Sequence, residues 1–239
     1  MYTFYVPSIR INKNIATITG SEQHHLRNVL RLEPGDTIRI IDGKGSVCFG
    51  KIREINAEST DTKILNYEFH RNNTPSLTLF QALPKNDKMV LILQKTTELG
   101  VTRIVPMSTE RTLQKPSENR CERWHRIVLS ATKQCKRAWL PELHDVQEFD
   151  ESLNMMQKYA LSLIFWENEK QQHIKTVLRE KTKVESIAFL VGPEGGFTDK
   201  EVNDAIEKGC IPVKIGSNIL RTETAAIAGI TAAAYEYQL

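Results

Sequence analysis

The sequence predicts an α/β protein, a parallel sheet covered by helices and preceded by a smaller β-rich part. Three observations carry this. Apolar, non-alternating runs at 77–82, 103–107, 160–166 and 187–191 are separated by helical patterns, as in strands buried on both faces. Short β-like runs broken by turn residues fill the N-terminal third. Near the C-terminus, two glycine-punctuated loops each follow a short apolar run and open into a helical pattern. They are Leu190-Val191-Gly192-Pro193-Glu194-Gly195-Gly196-Phe197 and Ile215-Gly216-Ser217-Asn218-Ile219-Leu220-Arg221-Thr222-Glu223-Thr224. That placement puts both at one edge of the sheet, where open α/β folds take their ligands.

A chain of 239 residues, 40% apolar and 26% charged, has the composition of an ordinary soluble protein and the length for two domains. Met1 to Pro7 show no basic region leading into an apolar run, and no segment reaches the roughly 18 apolar residues of a membrane span, so a cytoplasmic protein without membrane contact is expected. Cys48, Cys121, Cys135 and Cys210 are far apart and form no C-x-x-C pair, a pattern of reduced thiols rather than a disulfide frame or zinc site. Charge is uneven along the chain. Residues 71–139 hold 13 Lys/Arg against 5 Asp/Glu, whereas 140–239 hold 10 against 16. A basic middle suits a polyanion as well as it suits a solvated face.

The N-terminal strands are expected at 4–6, 15–18, 37–41, 47–52 and 62–65, with Pro34-Gly35-Asp36 and Asp42-Gly43-Lys44-Gly45 as turns. One helix interrupts them after Ser21, with Leu26, Val29 and Leu30 on its apolar face and His25, Arg27, Asn28 and Arg31 on the other. Many short strands and one helix suggest a small barrel. Asn72-Asn73-Thr74-Pro75-Ser76 reads as a linker, so the domains are set at 1–71 and 72–239.

After strand 77–82 and Leu83-Pro84-Lys85-Asn86-Asp87, a helix is expected with Asp87 as N-cap and Gly100 just past its end. Helix 120–138 carries Trp124, Ile127, Val128, Ala131 and Cys135 on one side and a basic stripe, Arg123, Arg126, Lys133 and Arg137, on another. A helix over 169–180 follows the strand at 160–166. Thr198-Asp199-Lys200-Glu201 is a capping box opening helix 199–208, which Gly209 ends. A short strand at 212–215 and an alanine-rich helix at 222–238 complete the chain.

Gly192, Gly195, Gly196 and Gly216 let backbone bend sharply and approach a ligand, while Pro193 fixes one φ angle. Tight turns at strand ends are the plain alternative, since G-P-E-G-G is neither a P-loop nor a dinucleotide fingerprint.

Taken together, Leu190 to Phe197 and Ile219-Leu220-Arg221-Thr222-Glu223-Thr224-Ala225 closely resemble the two signature loops of the RsmE family, the 16S ribosomal RNA uridine-N3 methyltransferases of the SPOUT (trefoil-knot) superfamily. The likeness extends to 94–101, Arg103-Ile104-Val105-Pro106, Glu110-Arg111, Gln134-Cys135-Lys136-Arg137, 25–31 and Pro34-Gly35-Asp36, all in the family's order. It implies a small PUA-like β-barrel domain that grips RNA, followed by a SPOUT knotted parallel-sheet methyltransferase domain. It also implies S-adenosylmethionine (SAM) as cofactor, S-adenosylhomocysteine as product, a homodimer, and methylation of uridine 1498 of 16S ribosomal RNA in the small subunit. No metal and no DNA enter this reading.

The cofactor positions that the resemblance implies are Leu190, Gly192, Pro193, Glu194, Gly195 and Gly196 in the first loop. In the second they are Ile215, Gly216, Ser217, Asn218 and Leu220, then Thr224 and Ala225 beyond it. Apolar walls and backbone groups suit an adenine and a ribose. Methyl transfer from a sulfonium needs alignment and a way to manage the uracil imide proton, for which Arg221, Glu223 and Glu98 are the candidates. Arg221 can stabilise a uracil anion or pair with Glu223, and Glu223 is favoured in a first helical turn whether or not it is catalytic. Arg27, Arg31, Lys85, Arg111, Arg123, Arg126, Lys133 and Arg137 are the expected RNA contacts. The chain departs from the family at Lys133 and Lys136, where Glu and Gly are common, and at Asn218, where arginine is usual. A non-catalytic RNA-binding assembly factor and a knotted ribose 2′-O-methyltransferase are the competing readings.

Overall fold

In the computed structural model, residues 1–7, 11–12, 14–72, 74–85, 87–112 and 116–239 are described. Asn73 of the expected linker and Asn86 of the expected turn lie outside them. The chain divides into two compact units. The first comprises Met1–Asn72 with Thr132–Leu140, and the second holds the rest up to Ala131 and Pro141–Leu239.

The first unit is a six-stranded sheet of β1 (Thr3–Tyr5), β2 (Ile11–Asn12), β3 (Ile15–Thr19), β4 (Thr37–Ile41), β5 (Ser46–Ile55) and β6 (Ser59–Phe69), in the order β1-β4-β5-β6-β3-β2. Only β1 and β4 pair in parallel. Alternation along β3 turns Ala16 and Ile18 inward, onto a core with Phe4, Val6, Leu26, Ile38 and Ile40. The helical insertion is α1 (Gly20–His24), followed by a π-helical turn over His25–Val29 in which Leu30 N–H donates to the His25 carbonyl. This corrects one expectation. The wider π turn carries Val29 off the apolar face, leaving it 60% exposed while Leu26 stays buried, because a fixed 3.6-residue period does not anticipate i→i−5 bonding.

Residues 132–140 belong to this unit. Trp139 Nε1–H donates to the His70 carbonyl at 2.8 Å, and the buried Arg39 donates to the Lys136 carbonyl at 3.0 Å.

The second unit is a parallel sheet in the order β10-β8-β7-β12-β11-β13, with β9 also on β8. Its strands are β7 (Ser76–Ala82), β8 (Arg103–Ser108), β9 (Glu142–Leu143), β10 (Gln147–Glu148), β11 (Leu161–Phe165), β12 (Ser186–Val191) and β13 (Ile211–Val213). Every pairing among them is parallel, as continuous apolar strands require. Pro106 has no N–H to give, and it falls between the β9 and β10 pairings on the edge of β8.

The helices of this unit are α2 (Lys88–Glu98), α3 (Glu118–Gln134, whose last turn belongs to the first unit), α4 (Phe149–Met156), α5 (Ile174–Glu180), α6 (Asp199–Glu207) and α7 (Thr222–Glu236). On one face of the sheet α4 and α6 bury Phe149, Leu153, Met156, Val202 and Ala205 against Phe80, Val105, Ile164, Ala188 and Leu190. Helix α7 packs against β7, β12, α2 and α5. There Gly229 is required, since a Cβ would meet the Phe165 ring at 2.4 Å.

Four boundaries have local causes. The Thr198 capping box of α6 forms with both reciprocal bonds, and Gly209 (φ +89°) ends the helix. Helix α5 begins at Ile174 rather than 169, because the Glu169 carboxylate captures the Gln171 and Gln172 N–H groups in a turn. Helix α4 carries no hydroxyl N-cap signal in the sequence. Its capping box uses Glu148 and Glu151 instead of a hydroxyl residue, and its apolar spacing is short. Helix α3 ends at Gln134, four residues before the expected limit. Arg137 N–H donates to the Thr132 carbonyl, Lys136 N–H to that of Lys133, and Lys136 takes the left-handed φ of +58°. Arg137 therefore lies outside the helix and is not part of a continuous basic stripe.

Candidate functional site

Three adjacent parallel strands end at one level in the second unit. Register puts Ile164 of β11 opposite Leu190 of β12, and Phe165 opposite Val213 of β13. Beyond these ends lies a cleft of about 550 Å³, within the usual range for small-molecule sites. Its walls are the two glycine loops, 192–196 and 215–221, together with Phe165 at the end of β11 and Trp166 and Glu167 after it. Both loops stand at the same sheet edge, as the strand-loop-helix pattern predicts.

Of the first-loop candidates, Gly192, Pro193, Glu194, Gly195 and Gly196 line this cleft. Leu190 does not; it is fully buried in the core beneath, and Val191 reaches the wall instead. Ile215, Gly216, Ser217, Asn218, Leu220, Arg221 and Ala225 also line it, whereas Thr224 is exposed and does not. A Cβ on Gly216 would meet nothing within 4 Å, so that backbone faces open space. Gly196 has φ +68°, and a Cβ there would collide with the Glu167 carboxylate.

A buried hydroxyl joins the loops to the sheet. Thr222 Oγ1 donates to the Gly192 carbonyl and accepts from Gln81 Nε2 at 2.9 Å. Arg111, a candidate RNA contact, donates to the carbonyls of Gly195 and Phe197 and so braces the first loop.

The charged groups sort themselves. Arg221 is exposed at the N-cap of α7 and lines the cleft, and among the described residues its side chain makes no ion pair. Glu223 pairs instead with Lys88, 3.4 Å from Oε2, an ion pair without hydrogen-bond geometry. Lys88 also holds Glu194 Oε1 at 3.0 Å. Those contacts, led by the Glu194 hydrogen bond, raise the Lys88 pKa. Burial alone would raise the Glu194 carboxyl, but the hydrogen bonds from Lys88 and from backbone N–H groups outweigh it and hold it below the usual carboxylate range. Glu98 is held by Lys95 at 3.0 Å and does not line the cleft.

Lys88 was missed by sequence reasoning, because a lysine at a helix start carries no pattern that marks a partner. Among the remaining cations, Lys85 is exposed, and its N–H donates to Glu194. Arg123 pairs with Asp87 at 3.3 Å, and Arg126 is exposed. In the first unit, Arg27 reaches the carbonyls of Asn56 and Ala57, and Arg31 is exposed. Lys133 is paired with Glu22, and burial lowers the Arg137 pKa.

Comparison with known proteins bears on this geometry. Residues 71–234 match an RNA methyltransferase domain family, and residues 18–65 match an RNA methyltransferase PUA domain. The chain is 36% identical over 226 residues to ribosomal RNA small subunit methyltransferase E of Synechocystis, covering 94% of this chain and 74% of the relative. It is 29% identical to the protein of that name from Bacillus subtilis, covering 93% and 91%. The solved structure of ribosomal RNA small subunit methyltransferase E from Neisseria gonorrhoeae, bound to S-adenosyl methionine, superposes with a TM-score of 0.89 at 33% identity, covering 99% of this chain and 98% of that one.

Proposed function

Since the chain belongs to the ribosomal RNA small subunit methyltransferase E family, we propose that it methylates N3 of uridine 1498 in 16S ribosomal RNA, with SAM bound in the cleft between the two glycine loops. The observation that carries this is the cleft itself, with its backbone-lined walls at the ends of three parallel strands and a guanidinium at its rim. Val191, Leu220, Pro193 and Ala225 offer apolar surface, and the glycines offer open backbone, a donor set that fits a neutral adenine and ribose. When bound, SAM would supply an electrophilic methyl group to N3, its sulfur keeping the bonding electron pair and the N3 proton passing to solvent water.

This chain's residues do the rest. The loops fix the cofactor's orientation, which supplies much of the barrier lowering in a displacement of this kind. Arg221, at the rim of the cleft, would stabilise negative charge on the uracil as the proton departs. Glu223, engaged by Lys88, and Glu98, engaged by Lys95, support the site from outside the cleft. Exposed Arg27, Arg31, Lys85 and Arg126 contact RNA phosphates through charge.

The knot belongs to this proposal. Strand β13 is the sheet edge, yet the following helix α7 packs against β7 and β12, and Thr222 is bonded to Gln81 and Gly192. A chain returning across β11 in this way supports threading under an earlier loop. Assembly as a homodimer is part of the same proposal.

Incubation with SAM and unmethylated small ribosomal subunits, followed by nucleoside analysis, tests the reaction. 3-Methyluridine is expected. A 2′-O-methylated nucleoside, or no product from folded, SAM-bound protein, would refute it.

A further inference from the structure

We propose that Lys88 is a positioning residue of the methyl-transfer site, an ammonium clasp that holds the first glycine loop against the start of the final helix. The inference rests on the cofactor reading above and adds a residue to it. Lys88 opens α2 and does not line the cleft. Its Nζ lies 3.0 Å from Glu194 of the first loop and 3.4 Å from Glu223 in the first turn of α7. The Glu194 carboxylate also accepts the Lys85 N–H at 3.1 and 3.2 Å.

Three segments far apart in sequence thus meet at one cation. Two of them are the walls that frame the cleft. The Glu223 side chain is only 12% exposed, and its Oε2 has no hydrogen bond, so Lys88 is the cation that offsets its charge among the described residues. Without Lys88, two carboxylates would face each other across the seam between loop and helix, and repulsion would draw the loop away from α7. Lys88 is itself 29% exposed, so its removal leaves no core cavity.

The test compares Lys88→Met, which keeps the aliphatic stem, with Lys88→Arg, which keeps the charge. Amide hydrogen exchange of 194–197 reads the clasp without any ligand, and calorimetry reads SAM affinity. Lys88→Met is expected to speed exchange in that loop and to weaken SAM binding roughly ten- to hundredfold, the scale of a misplaced positioning group. Lys88→Arg is expected to recover most of both. Glu194→Gln should have a smaller effect than Lys88→Met, because it removes one of the two carboxylates and leaves Lys88 on Glu223, and the double variant should be no worse than Lys88→Met alone.

Unchanged loop exchange and SAM affinity in Lys88→Met, while wild type binds SAM, would overturn the clasp and leave the cofactor reading standing. Failure of Lys88→Arg to rescue, with additive effects in the double variant, would also overturn it. Failure of folded wild type to bind SAM would sink the cofactor reading and this proposal with it.

Discussion

Thr222→Val is the most direct probe of how the two loops are coupled. The substitution keeps the branched shape but removes the hydroxyl that donates to Gly192 and accepts from Gln81. Thr222 is 5% exposed and Gln81 fully buried, so water does not readily replace either bond. Gln81 keeps its second bond, to the Ala82 carbonyl, so its amide is not wholly stranded. The Gly192 carbonyl loses the hydroxyl. Two net bonds at about 0.5–1.5 kcal/mol each, with the desolvation of an unpaired acceptor behind them, predict a loss of about 1–3 kcal/mol. For a chain of this size that is about 2–4 °C in melting temperature per kcal/mol.

The assay is urea denaturation of the ligand-free protein beside SAM titration. Because the lost bond anchors the first loop to the last helix, affinity should fall together with stability, and about 1.4 kcal/mol of coupling would appear as tenfold in Kd. Thr222→Ser should restore both. Stability within about 0.5 kcal/mol of wild type, together with an unchanged Kd, would refute the idea that this hydroxyl ties the loops to the sheet.

Three other changes have definite expected outcomes. Arg221→Ala should cut turnover roughly hundredfold while changing SAM affinity little, measured by single-turnover methylation beside calorimetry. Because the Glu194 pKa is depressed, its contribution to stability is fully present above the usual carboxylate pKa and is lost as pH falls through the lower folded value. The stability gap between wild type and Glu194→Gln should therefore hold constant from about pH 7 to 5 and close below about pH 4, as read by denaturation at each pH. Lys136→Gly should stabilise by about 1 kcal/mol in a thermal melt, since φ +58° strains a side chain and the bond that its carbonyl accepts from Arg39 is retained.

The last of these shows how a departure in sequence became legible only with coordinates. Lys136 stands where the family pattern has glycine, and the left-handed turn that closes α3 is the physical reason for glycine there. Arg137, assigned from spacing to a stripe, falls beyond that turn. Val29, assigned to an apolar face, is turned outward by the π turn. In each case a regular period was extended across a position where backbone hydrogen bonding changes.

What the amino-acid order determined alone is short-range: the parallel strands from their unbroken apolar runs, the Thr198 cap, the glycine stops, and the two loops that follow their strands. These depend on neighbours within about a turn or a strand length, so local chemistry suffices. The tertiary structure decided which charges meet. Lys88 joins Glu194 to Glu223, Arg111 braces Gly195, and Thr222 bonds to Gln81 across 141 positions. Periodicity carries no information about such partners, because they are chosen by strand order and by the return of the last helix to the middle of the sheet.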